Sequence, residues 1–327
     1  MEYKKLLNYR YVWMAIAIVW IMIYHTGLRF ENHLVDTIVQ LGYSGSDVFF
    51  FASGAGLYLS LNRNSNPKEF YKKRFWKVLP KYWVILIVWI VVRMYVQGLT
   101  GLEIIGNIVG LEALFDVDKA FNWYFSFMLI SYVLAPMLKK LTEKLNAIGM
   151  FILSLAIVGV GFLCVHNSNI IIGYSRLIIF LWGMYLGKSV ADNKTVKKWQ
   201  ILVFALGVVV GYYLVNNASK NFMVSWSNGM LWYPLCLAIP GLCFGLSYIW
   251  ETLHINWGIV RWIGQHTLEL YLIHILIYDI YQRLIVATWQ IEDRFYHWFF
   301  IWVFVAVFVL LFDCIWKKLE GKITGCI

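Results

Sequence analysis

Residues 68–97 read KEFYKKRFWKVLPKYWVILIVWIVVRMYVQ. Six cations, Lys68, Lys72, Lys73, Arg74, Lys77 and Lys81, crowd the first half, whereas the second half is apolar apart from Arg93. A bilayer core about 30 Å thick is crossed by roughly 20 apolar residues in a helix, and cations collect on the cytoplasmic side. The stretch therefore predicts a membrane helix entered from the cytoplasm, with Pro80 in its first turn, where a missing N–H costs nothing.

Windows of the same kind recur along all 327 residues, which are 61% hydrophobic and 14% charged with a mean hydropathy of +0.66. A water-soluble domain needs far more polar surface. Ten spans are predicted, at 11–28, 40–61, 80–97, 121–138, 146–165, 170–187, 199–216, 230–250, 262–285 and 296–316. The expected fold is an all-α polytopic bundle forming one domain over 1–327, with no internal repeat or low-complexity segment. Span one, preceded by Lys4, Lys5 and Arg10, is too long for a cleaved leader.

The net charge of +10 could suggest nucleic acid. Its distribution follows the membrane instead. Arg29, Lys119, Lys220 and Arg294 alone fall on the side opposite the N-terminus, with Arg93, Arg176 and Arg283 inside spans, so both termini are expected in the cytoplasm. Glu103, Glu112, Asp116 and Asp118 then lie outside. The five cysteines, Cys164, Cys236, Cys243, Cys314 and Cys326, show no metal-ligand or redox spacing and read as inert; no metal is expected.

An ionised group at a helix centre costs on the order of 2.5 to 3.5 kcal/mol on insertion. His25 near the outer end of span one and Asp47 below the outer end of span two share a depth on consecutive antiparallel helices, so they could touch. Arg93, Trp123, Arg176 and His274 fall in the same outer half, with Glu269 and Tyr132 nearer the midplane. Each alone could be interhelical glue or a snorkelling group, as Arg29, Asp279, Arg283, Asp313 and His297 read near the interfaces. Together they suggest a polar cavity open to the outer side. On the inner side Arg74 and Lys77 are three apart and share a helix face. They suit a multiply charged phosphate ligand, or else an anionic-lipid patch or topology signal.

Several motifs resemble the membrane-bound acyltransferase 3 family, whose bacterial members mostly O-acylate surface glycans. GSDVFFFASG, 45–54, is similar to its second-helix signature through Asp47, Phe49, Phe50, Ser53 and Gly54, and IYHTG supplies the helix-one histidine as His25. YKKRFWKVLPKYW matches at Arg74, Lys77 and Pro80, and NWYFSFMLISYVLAP at Trp123, Tyr132 and Pro136. SRLIIFLWGMYLG matches at Arg176, Gly183 and Gly187, and WIGQHTLELYLIH at Gly264, Tyr271 and His274. The chain departs from the family in having Met14 where many members have an arginine, with Arg10 one turn earlier, in Lys77 for the second basic residue, and in Met128 where another branch has Glu.

The resemblance implies a membrane O-acetyltransferase. It would move an acyl group, acetyl above all, from cytoplasmic acetyl-CoA to a hydroxyl of a cell-surface or lipid-linked glycan across a bacterial cytoplasmic membrane. His25 would be the general base, oriented by Asp47 as in histidine dyads. Arg10, Lys73, Arg74 and Lys77 would bind the donor. Arg93, Trp123, Tyr132, Arg176, Glu269 and His274 would bind the acceptor or the oxyanion. The rival reading is a transporter or flippase of lipid-linked sugars, which calls for inverted repeats and broken helices; neither is legible in the sequence.

Overall fold

The computed structural model describes residues 2–286 and 295–324, and among these no strand forms; a single bridge pairs Glu2 with Thr195. The helices are α1 (Tyr3–Asn8), α2 (Arg10–His25), α3 (His33–Gln40), α4 (Gly45–Arg63), α5 (Pro67–Val96), α6 (Gly101–Val109), α7 (Trp123–Lys144) and α8 (Ala147–Cys164). They continue as α9 (Ser168–Tyr174), α10 (Leu177–Ala191), α11 (Lys198–Ser219), α12 (Phe222–Asn228), α13 (Leu235–Thr252), α14 (Gly258–Gln265), α15 (Thr267–Ile280) and α16 (Phe295–Thr324).

Asparagine starts many of them. Asn66, Asn122 and Asn146 accept from Lys68 N (3.1 Å), Phe125 N (3.1 Å) and Gly149 N (2.9 Å), occupying N–H groups that a helix leaves unpaired. The Asn66 cap with Pro67 beside it starts α5 thirteen residues (80 − 67) before the expected Pro80, which lies inside the helix. The basic cluster is consequently part of the same rigid rod as the apolar stretch.

Helix lies within every predicted span, and among the described residues seven helical segments are long and apolar enough to cross a membrane: Pro67–Val96, Trp123–Lys144, Ala147–Cys164, Ser168–Ala191, Lys198–Ser219, Leu235–Thr252 and His297–Lys318. Their outer faces expose large apolar side chains such as Ile87, Leu155, Val209 and Phe304, as lipid contact requires. The three expected spans outside this set contain α2, α4 and α15, which pack centrally and carry His25, Asp47 and His274. Two predicted spans are interrupted, contrary to the reading of unbroken helices. Span six breaks between α9 and α10 at Ser175–Arg176, and span nine at His266 before α15.

The tightest contact joins α4 and α10, which run parallel. A Cβ on Gly183 would stand 2.1 Å from the Phe51 carbonyl oxygen, and one on Gly54 would stand 2.2 Å from that of Phe180. Backbone thus meets backbone, the approach that small residues permit between membrane helices. On the other side of α4, Gly45 meets the Ala17 carbonyl of α2, and Gly264 of α14 meets that of Tyr11. Gly183→Ala should cost on the order of 1 to 3 kcal/mol by overpacking, seen as a lowered Tm in detergent. Gly245→Ala, where no atom lies within 4 Å, should leave Tm unchanged or slightly raised.

Candidate active site

The α4–α10 contact sets the N-terminal ends of both helices side by side. Asp47 stands in the first turn of α4, and Arg176 is the residue before α10. Their side chains form an ion pair, Asp47 Oδ2 to Arg176 Nη2 at 3.4 Å, with both residues 1% exposed. Arg176 also donates through Nη1 to the Ile172 carbonyl at the C-terminal end of α9. Its guanidinium lies between two indoles, 4.8 Å from the Trp123 ring centre and 5.0 Å from that of Trp232. Such faces attract a cation by about 0.5 to 2 kcal/mol each. Arg176 Nε is buried without a hydrogen-bond partner.

His25 ends α2 and meets α15 rather than Asp47. Its Nδ1 is 2.9 Å from His274 Nε2, and the rings stack with centres 5.2 Å apart. The expected His25–Asp47 dyad is corrected here: Asp47 serves Arg176, and the ring partner of His25 is a second histidine. The hydrogen positions follow from chemistry. His274 Nδ1 faces the Leu270 carbonyl oxygen at 2.9 Å, which can only accept, so it carries the hydrogen. With His274 neutral, its Nε2 is a bare acceptor, His25 Nδ1 is the donor, and His25 Nε2 keeps a lone pair.

His25, Arg176, Trp123, Ser46, Tyr271 and Trp232 line one cavity of about 80 Å³, the volume share of two or three waters. A second, of about 150 Å³, lies among Arg10, Met14, Ser53, Gly56, Arg74 and Tyr132. Arg74 Nε is buried and unpartnered there, and Arg10 Nη1 lies over α4 so closely that a Cβ on Gly56 would come within 2.8 Å of it. Arg10 stands one turn before Met14 on the same face of α2, and both line this cavity.

The sequence grouping needs further correction. Tyr132 belongs with the two arginines of the second cavity, not with the histidines. Glu269 pairs with Lys81 at 2.5 Å, tying α15 to α5, and lines neither cavity. Arg93 pairs with Asp279 at 3.7 Å, donates to the Asp118 carbonyl at 3.1 Å and lies 5.1 Å from the Trp89 ring centre, again away from both. Lys73 and Lys77 are exposed on α5 and line neither; Lys77 stands within electrostatic reach of Arg74 and Arg10. Trp232 and Ser46 were missed. The aromatic run SWSNGMLWYP, 225–234, was the available signal for the first. Among the described residues no His, Cys, Asp and Glu group could hold a metal ion; Cys326 lies outside them.

A half-buried imidazole with a free lone pair, a buried cation lining the same cavity and a separate pair of arginines suit group transfer. The chain matches the family model for the acyltransferase domain over residues 14–316. It belongs to the membrane-bound acyltransferase 3 family and is an acyltransferase of the membrane. No curated protein and no solved structure matches it.

Asp47→Asn leaves the buried Arg176 charge uncompensated, and loss of one partner of such a pair costs about 3 to 5 kcal/mol. The single variant should unfold at a clearly lower temperature. Asp47→Asn combined with Arg176→Gln should recover most of that loss, and a double variant no more stable than the single would show that the pair is not coupled.

Proposed function

We propose that the protein transfers an acyl group, acetyl foremost, from cytoplasmic acyl-coenzyme A to a hydroxyl of a cell-surface or lipid-linked glycan on the outer side. The observation that carries this reading is the pair of cavities lined by the same three helices, α2, α4 and α7, with Arg10 and Arg74 at one and His25 and Arg176 at the other. Arg10, Met14, Ile21 and His25 follow one face of α2. Arg10 and His25 are fifteen residues apart, roughly 22 Å along the helix at 1.5 Å per residue.

Arg10 and Arg74 hold the phosphates of the donor, with Lys77 adding to the local positive field, and the pantetheine arm extends along α2 toward His25. The acceptor hydroxyl attacks the thioester carbonyl as its proton passes to His25 Nε2. The new C–O bond forms, and the carbonyl oxygen gains charge beside Arg176, whose Nε–H is free to donate. The C–S bond then breaks, and the imidazolium returns the proton to the departing thiolate. Ester and free coenzyme A result. Cys-free chemistry of this kind uses no group beyond these residues and the two substrates.

His25→Ala should lower turnover by about 10² to 10⁴-fold, the usual worth of a general base, while coenzyme A affinity, read by calorimetry, stays within a few-fold. Arg10→Gln with Arg74→Gln should instead weaken coenzyme A binding and flatten its salt dependence. Equal loss of coenzyme A binding in both proteins would defeat the division of labour.

The scheme also needs the two cavities on opposite sides of the membrane, with both termini cytoplasmic. Cysteine placed at Ser65 should react with an impermeant maleimide only from the cytoplasm, and cysteine at Asp118 only from outside. Labelling of both from one side would remove transfer across the membrane.

A further inference from the structure

The two cavities are close, yet they do not join. On α4, Ser46 lines the outer one and Ala52 the inner, six residues or roughly 9 Å apart along the helix. On α2 the corresponding positions are Ile21 and Met14. Between them packs an aromatic cluster drawn from α4, α7 and α15. Tyr124 of α7 stands at its centre, with its ring centre 5.1 Å from Tyr271, 5.9 Å from Phe49 and 5.1 Å from Phe50. Phe49 and Tyr271 close on each other edge to face at 6.2 Å.

Each neighbour of Tyr124 belongs to a different side. Tyr271 lines the outer cavity and contacts His274 at 5.3 Å, so the cluster abuts the histidine pair. Ser53, which lines the inner cavity, lies beside the Tyr124 hydroxyl. Tyr124 itself is buried and follows Trp123, the residue beneath Arg176, by one position. On the acyl-coenzyme A reading, a thioester that travels from the arginines to His25 passes this aromatic cluster and enters the outer cavity.

We propose that Tyr124 is the partition between donor and acceptor cavities and that it restricts the acyl group that crosses to a short one. The inference rests on the acyl-coenzyme A reading given above. A phenol ring has no torsion that shortens it, so it yields by rotating about its first two side-chain bonds, and the opening this leaves is about one ring wide. A two-carbon acyl group passes an opening of that size. A chain of six or eight carbons has to keep the ring displaced along its whole length.

The test compares acetyl-, butanoyl-, hexanoyl- and octanoyl-coenzyme A as donors for the protein in nanodiscs, with release of free coenzyme A and formation of the acylated acceptor both measured. The native chain should favour acetyl. Tyr124→Ala should raise kcat/KM for hexanoyl relative to acetyl at least ten-fold, and Tyr124→Phe, which keeps the ring, should keep the native profile. Tyr124→Leu gives an intermediate shift and serves where the alanine variant does not fold. An unchanged profile in a folded Ala or Leu variant that still transfers acetyl overturns the partition and leaves the acyltransfer reading standing. Failure of the native chain to bind or turn over any of the four thioesters overturns that reading, and the partition with it.

Discussion

Two helices touching without side chains between them set everything else in place. Because Gly54, Gly183 and Gly187 let α4 and α10 meet backbone to backbone, Asp47 and Arg176 are forced together at the N-terminal ends of both rods. The break between α9 and α10 then turns the Arg176 side chain back onto the Ile172 carbonyl, where Trp123 and Trp232 cover its two faces. α2 lies on the remaining side of α4 through Gly45 and delivers His25. A wider spacing of α4 and α10, by the width of a single methyl group, would loosen the ion pair and the cavity wall at once.

That arrangement explains where the ionisable residues sit. The helices around the outside each carry a long apolar stretch that meets lipid, and α11 has only 11% of its apolar window buried. α2, α4 and α15 pack among the others and carry His25, Asp47 and His274. The all-helical membrane class and the ionisable residues worth following were legible in the sequence because an ionisable residue in an apolar window is costly wherever it lies. Partners were not legible. Counting residues from a span's end gives height in the membrane, but it does not give the direction in which a side chain leaves its helix.

The corrected assignments share that origin. His25 ends α2 and Asp47 stands in the first turn of α4, on neighbouring helices, yet each turns to a third helix, α15 or α10. Tyr132, Glu269 and Arg93 sit at plausible heights and face the inner cavity, Lys81 and Asp279 respectively. Pro80 was misread for a different reason. Proline in a helix start is a strong local preference, but Asn66–Pro67 offered the same signal thirteen residues earlier (80 − 67) with a capping side chain as well, and the packed bundle tolerates the second proline inside α5.

The paired imidazoles have a consequence for the return half of the proposed cycle. A carboxylate against His25 Nδ1 would grip the ring once it became cationic, favouring the first proton transfer and opposing the second. The Leu270 carbonyl fixes the His274 tautomer that leaves Nε2 an acceptor, so His274 orients His25 while offering the cation no opposite charge. The proton collected from the acceptor stays mobile and passes on as the thiolate leaves. In the proposed cycle His25 is thereby a relay rather than a sink, and the chain returns to the protonation state in which it began.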